Sequence, residues 1–207
     1  MRVFPPGYGD GFVIPLYNYL YHECIVMQGG MGGGPEPYHL PIRNAYNGVL
    51  GIIPGAVMTG DGTLLNKDTF NWAIWEPKVG NDDHALEMIR TVTAMRRGPG
   101  KPYLVFGRMQ HPATVSCETI TWDWQDRTNH VPAVFHAAWQ SPEEHFAIIL
   151  ANWTDAPQEV TVTDERLGEQ VRMTIAGRTL TEEQMAVNKG MVTMTLPALS
   201  CVMVERT

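Results

Sequence analysis

Apolar and polar residues follow two different rhythms along this chain. Up to about Gly98, strand-like runs alternate with segments of helical spacing. Residues 13–21 (VIPLYNYLY) read as a first strand that ends at His22, Glu23 and Cys24 and gives way to a glycine-rich loop. Residues 38–51 (YHLPIRNAYNGVLG) read as a helix with Pro41 in its first turn, where the missing N–H costs nothing. Residues 52–58 (IIPGAVM) form a second apolar run, and TGDGTLL after it marks a strand end and a turn.

A further helix is predicted from Asn81 to Arg97. Asn81 is placed to cap it, Asp82 and Asp83 suit the positive end of its dipole, and Arg96 and Arg97 suit the negative end. Ala85, Met88, Ile89, Val92 and Met95 recur at helical spacing, and Gly98-Pro99-Gly100 stops the run. Beyond Pro102 the rhythm becomes that of short strands: YLVFGRM, TITWDW, PAVFHAAWQ, HFAIILANW, QEVTVTD, VRMTIAG and LSCVMVER, divided by turns such as SPEEH and TDAPQ.

The first rhythm is the βα repeat of a parallel architecture, the second that of an antiparallel sandwich. Two βα units cannot close a barrel, and a parallel sheet needs both faces covered. The expected fold is therefore α/β plus all-β: residues 1–98 as the last two βα units of a TIM-type (β/α)8 barrel, residues 99–207 as an antiparallel β-sandwich. On this reading the chain is the C-terminal piece of a longer protein, and its first partner is the missing N-terminal part of the barrel.

Composition changes this picture little. Hydrophobic residues make up 44% of the 207, enough for a sizeable core, and the net charge of -7 contains no block of either sign. Such a surface is a poor match for a nucleic acid or an anionic membrane. Three widely spaced cysteines without CxxC suggest neither a disulfide framework nor a zinc site. The opening MRVFPPGYGDGF lacks the apolar core of a signal peptide, and no stretch reaches the ~20 apolar residues of a spanning helix.

Three segments carry a family resemblance: YLYHECIVMQGGMGGGPEPYHLPIRNAY, IPGAVMTGDGTLLNKDTFNWAIWEPKVGN and VFHAAWQSPEEHFAIILANWTD. They resemble the C-terminal third of a bacterial family of glycoside-hydrolase-like barrel proteins, in which a barrel is followed by a β-sandwich. The resemblance implies that fold and a carbohydrate substrate, and assigns no catalytic residue.

Barrel active sites lie at the C-terminal ends of the strands. Glu23, at the end of the first predicted strand, is the first candidate for one of the two carboxylates of a glycosidase, which stand roughly 5 to 9.5 Å apart depending on stereochemistry. Its bland alternative is an ion pair with an arginine such as Arg43. Asp61, in MTGDG after the second run, is the corresponding catalytic candidate one unit later; Asp-Gly is first of all a turn signal, and an Asp61 that faces the pocket suits hydrogen bonding to sugar hydroxyls better than nucleophilic attack.

His22 is a candidate substrate contact. It cannot share a strand face with Glu23, because neighbouring side chains on a strand point to opposite sides. Trp72, Trp75 and Glu76 in DTFNWAIWEP are candidate sugar contacts at the rim, with burial against a neighbouring element as the alternative. Glu36 is read as a solvated loop acid.

His22, Glu23 and Cys24 do not form a metal motif, and no cofactor is expected. Trp122, Trp124, Trp139 and Trp153 read as core or cross-strand partners. Asn152 heads an N-W-T sequence that matches a glycosylation acceptor. Two functions remain on the page: part of a glycoside hydrolase, or a non-catalytic sandwich module, structural or carbohydrate-binding, with a βα remnant.

Overall fold

The computed structural model describes residues 15–28, 38–55, 82–124, 127–177 and 179–207. Three layers stack in it. A helical layer of α2 (His39–Val49) and α3 (Asp82–Arg97) covers one face of a six-stranded antiparallel sheet, and a three-stranded sheet covers the other.

The large sheet has the order β1 (Arg108–Gln110), β5 (Val134–Gln140), β6 (Phe146–Asn152), β11 (Ser200–Arg206), β8 (Gln170–Ala176), β9 (Leu180–Ala186). The small one is β10 (Met191–Leu196), β7 (Gln158–Thr163), β2 (Thr114–Ser116). A separate hairpin, β3 (Thr119–Trp124) with β4 (Arg127–Pro132), pairs Trp122 with Asn129.

The double cover of the large sheet explains its composition. Strands buried on one face alternate, whereas β6 and β11 read as almost continuous apolar runs, AIILA and CVMV, because successive side chains enter two different cores. Ala147, Ile149, Ala151, Cys201 and Met203 pack towards the helices, with Met88, Val92 and Met95 of α3 and Ala45, Tyr46 and Val49 of α2. Ile148, Leu150, Val202 and Val204 pack towards the small sheet, with Val160, Val162, Val192, Met194 and Leu196. Strands β7 and β10 keep an exposed outer face and alternate strictly. The helices that precede Gly98 and the strands that follow it thus share one core.

Three readings of the sequence change here. Residues 16–21 are not a strand: Leu16–Tyr21 is a short helix, α1, and residues 13 and 14 lie outside the described residues. Among the described residues the run from Ile52 contributes a single bridge, Ile53 pairing in parallel with Gln28, and residues 56–58 lie outside the described residues. Tyr103 and Leu104, read as the start of a strand, belong to a helical turn, α4 (Lys101–Leu104), which leads into β1.

The α2 and α3 readings hold, and α3 keeps Arg96 and Arg97 in its last turn. The antiparallel sandwich also holds, with four strands, β2, β4, β9 and β10, beyond the seven runs named from the pattern. Among the described residues no helix is long and apolar enough to cross a membrane.

Candidate functional site

The parallel bridge between Gln28 and Ile53 is the element a barrel reading needs, since α2 runs between the two as a crossover. The N–H of Ile53 donates to Met27 O at 2.9 Å. Asn44 on α2 fixes the chain beyond the bridge: its Oδ1 accepts from the N–H of Gly55 at 3.0 Å, and its Nδ2 donates to Leu40 O at 2.9 Å. Arg43 donates from Nη2 to Gly55 O at 3.4 Å, and burial pushes its guanidinium down to about 10. The chain just beyond Ile53 is therefore tied to α2 through Gly55.

Glu23 does not stand at that end. It lies in the turn that closes α1, ahead of residues 25–28, so the extended segment begins after it and runs away from it towards the glycine-rich stretch. Its carboxylate accepts from Arg108 Nε at 2.7 Å, and both side chains are largely in water. The bland alternative is the observed one, with Arg108 rather than Arg43 as the partner. Exposed pairs of this type contribute at most about 1 kcal/mol.

His22 is buried, and it works as a structural tie. Nδ1 faces Gly107 O and Nε2 faces Leu104 O, each at 3.1 Å, and the ring meets Trp139 edge-on at a centroid distance of 4.5 Å. Arg96 Nη1 already donates to Leu104 O and to Gly51 O. A neutral imidazole has a single N–H, so the tautomer that leaves no carbonyl without a donor carries it on Nδ1, towards Gly107. Burial lowers the pKa of His22, and the nearby Arg96 charge acts in the same direction.

Gly51 completes the joint. It sits at φ +68°, and a Cβ there would overlap the His22 ring.

The other candidates divide by location. Asp61, Trp72, Trp75 and Glu76, like Glu36, lie outside the described residues. Trp139 and Trp153 are core, as read: Trp139 Nε1 donates to Val49 O at 3.0 Å and Trp153 Nε1 to Pro132 O at 2.6 Å. Trp122 meets Tyr38 and Trp153 edge-on, and Tyr38 lies tilted against Trp153, a cluster that seats the β3–β4 hairpin over the start of α2.

Asn152 is not an accessible acceptor. Its Nδ2 donates to Ala156 O and Pro197 O, both at 2.8 Å, and its Oδ1 accepts from Thr154 N and Oγ1.

Sequence reasoning missed the sandwich's buried carboxylates. Glu205 accepts from Tyr103 and from Arg172, which links α4 to β11 and β8. Asp164 pairs with Arg166 at 2.5 Å and caps the 3-10 turn Glu165–Leu167. Arg166 holds its carboxyl below the usual range although burial opposes this. Each of these acids is held by a cation in the fold. Among the described residues no group of three His, Cys, Asp or Glu is placed to hold a metal.

No family model and no curated protein matches this chain. Among solved structures, a GH51 arabinofuranosidase from Xanthomonas axonopodis pv. citri is similar over 87% of this chain and 37% of its own, at 16% identity and TM-score 0.44. A GH30 endoxylanase from Clostridium papyrosolvens C71 is similar over 36% of this chain and 20% of its own, at 18% identity and TM-score 0.32. AbfB, a family 51 α-L-arabinofuranosidase from Bifidobacterium longum, is similar over 42% and 21%, at 21% identity and TM-score 0.31. The chain covers 20 to 37% of the length of these three structures.

Proposed function

We propose that this chain is the C-terminal portion of a carbohydrate-active protein of the glycoside-hydrolase type, and that its described part is the scaffold of the site rather than the site itself. The observation that carries this is the parallel pairing of Gln28 with Ile53 across α2, seated by α2 and α3 on an antiparallel sandwich. That order is the one implied by the family resemblance of the three segments quoted above. In such an arrangement chemistry belongs at the C-terminal end of the parallel strands. The chain that continues from Gln28 and from Ile53 holds the acids Glu36, Asp61 and Glu76 and the indoles of Trp72 and Trp75.

The proposal assigns Asp61 as the acid this chain contributes, with Trp72, Trp75 and Glu76 as sugar contacts. It removes Glu23 and His22 from the mechanism. The test is turnover of aryl glycosides by the protein in its native length. Asp61→Asn is expected to lower kcat by about 100-fold or more, the scale of losing an acid–base group. Glu23→Gln is expected to leave kcat within twofold, because an exposed ion pair contributes little. Loss of activity in Glu23→Gln with unchanged melting, or full activity in Asp61→Asn, overturns the assignment.

The second reading, a sandwich without catalysis, is favoured by the engagement of Glu205 and Asp164 in internal pairs. Absence of turnover on every glycoside together with retained binding of a polysaccharide would select it.

A further inference from the structure

Helix α1 turns its polar side chains inward. Asn18 and His22, one helical turn apart, are buried and end on backbone carbonyls: Asn18 Nδ2 donates to Leu50 O at 3.1 Å, and the His22 ring faces Gly107 O and Leu104 O. Leu16 and Leu20 lie on the opposite side of the helix, 57% and 52% exposed, with Tyr19 on one flank and Tyr17 and Tyr21 on the other. The Tyr17 and Tyr21 rings lie against each other at a centroid distance of 5.1 Å. The N–H of Ile25 donates to Tyr21 O at 3.1 Å, which brings Ile25 and the exposed Val26 back to the end of the helix. Seven of the ten large apolar residues exposed among the described residues thus gather in one patch.

The size and charge of the patch indicate what covers it. On a scale of roughly 150 to 250 Å² for one large side chain, the exposed fractions of the seven come to about 700 Å². The largest apolar patch of a typical monomer is about 300 to 600 Å², and one side of a standard protein–protein interface is about 800 Å². The α1 patch lies above the first range and near the second figure. Within residues 15–28 the one acidic side chain is Glu23, and Arg108 pairs with it at 2.7 Å. Two copies of a chain of net charge -7 therefore meet here without bringing like charges together. A lipid surface is a poor fit, because α1 carries no basic residue to hold it to headgroups.

We propose that the outward face of α1 is the seam of a two-fold dimer, covered by the same face of a second copy of this chain. An isologous contact has to be complementary to itself, and an uncharged leucine stripe flanked by tyrosines meets that condition. Leu16 and Leu20 of the two copies meet at the centre. The tyrosines bury their rings around them and keep their hydroxyls at the wet rim, the use to which interfaces put this residue. Asn18 and His22 hold the helix to its own subunit from the other side. This contact does not depend on the glycoside-hydrolase reading.

Sedimentation velocity of the protein in its native length, from about 0.1 to 100 µM, is expected to show a monomer–dimer equilibrium. The double variant Leu16→Lys, Leu20→Lys sets four cations at the seam and is expected to raise Kd by about 100-fold or more. Its monomer should melt as before, since both positions face water in a single copy. Hydrogen exchange reads the same surface without a substitution: the α1 amides, early to exchange in the dilute protomer, should slow as the concentration passes Kd, and those of the exposed strand β9 should not. A monomer at about 100 µM, a dimer that the double variant leaves intact, or α1 exchange independent of concentration overturns the proposal. So does a monomer whose α1 amides are slowed by phosphatidylcholine vesicles instead, which would give the face to a lipid surface. Each readout is separate from glycoside turnover, so failure here and failure of the hydrolase reading are distinguishable.

Discussion

His22 and Asn152 each tie separate stretches of backbone together inside the fold, and each makes a distinct prediction. In the folded protein His22 resists protonation, because burial and the charge of Arg96 disfavour a second positive charge, so its pKa lies below its ordinary value of 6.5. The unfolded chain then takes up the additional proton. His22 therefore contributes no destabilisation above about pH 6.5, and stability falls as the pH drops below that value. His136, half-buried with Nε2 3.0 Å from Ala113 O, is lowered by its loss of water contact and adds a slope of the same sign.

Urea titrations between pH 8 and pH 5 are expected to show this decline, and His22→Gln is expected to flatten part of it, leaving the share of His136. An unchanged slope in the variant would show that His22 is already charged when folded. Gly51→Ala tests the same joint from its other side. A left-handed non-glycine residue costs about 1 to 3 kcal/mol before any clash with the His22 ring is counted. Asn152→Ala should lower stability by at least about 2 kcal/mol, since it strips partners from buried carbonyls and from the Thr154 N–H. In a secretory host, intact-mass analysis of the folded protein should find Asn152 unmodified.

At the scale of elements, legibility followed how local the determinants are. Helices α2 and α3 carry their signals in their own residues: apolar spacing, Pro41 in a first turn, and paired arginines ahead of Gly98. The strands β5, β6, β7, β8 and β11 do too, through runs of residues suited to a pleated surface. Helix α1 does not.

Tyr17, Tyr19 and Tyr21 alternate like the outer face of a strand, whereas the positions that decide the structure are Asn18 and His22, four apart, whose partners lie 32 and 82 or more residues away. No local pattern announces those partners, and misplacing α1 moved Glu23 to the wrong end of the extended segment. Strand β9 escaped for a different reason: LTEEQMA is exposed on almost every residue, so it shows no buried period.

The short α4 was read as strand because its anchor is distant as well, Tyr103 to Glu205 on β11. Burial and that carboxylate drive the Tyr103 phenol far above its ordinary range. Tyr103→Phe leaves Glu205 with Arg172 alone and is expected to cost about 1 to 2 kcal/mol by urea unfolding, the scale of a hydrogen bond to a charged group.

The whole molecule poses a question the sequence answers one way and the packing another. A change of rhythm at Gly98 suggests two units, since the patterns on either side belong to different architectures. The packing joins them: Trp139 on β5 is fully buried and donates to Val49 O of α2, and Met88, Val92 and Met95 of α3 share a core with Ile149 and Met203 of the large sheet. The same strands contribute their alternate residues to the core beneath the small sheet.

Removing the helices would expose one full face of strands whose composition is apolar on both, so neither layer has a stable state without the large sheet between them. Unfolding is therefore expected to be a single transition, with tryptophan fluorescence and far-ultraviolet circular dichroism giving one midpoint. Hydrogen exchange should rank the molecule accordingly: amides of β6 and β11 open only with global unfolding, and those of α1 and residues 25–28, which have little buried apolar surface, exchange first. Two separated midpoints, with the amides of α2 and α3 released before those of β6, would show instead that the division at Gly98 is a true domain boundary.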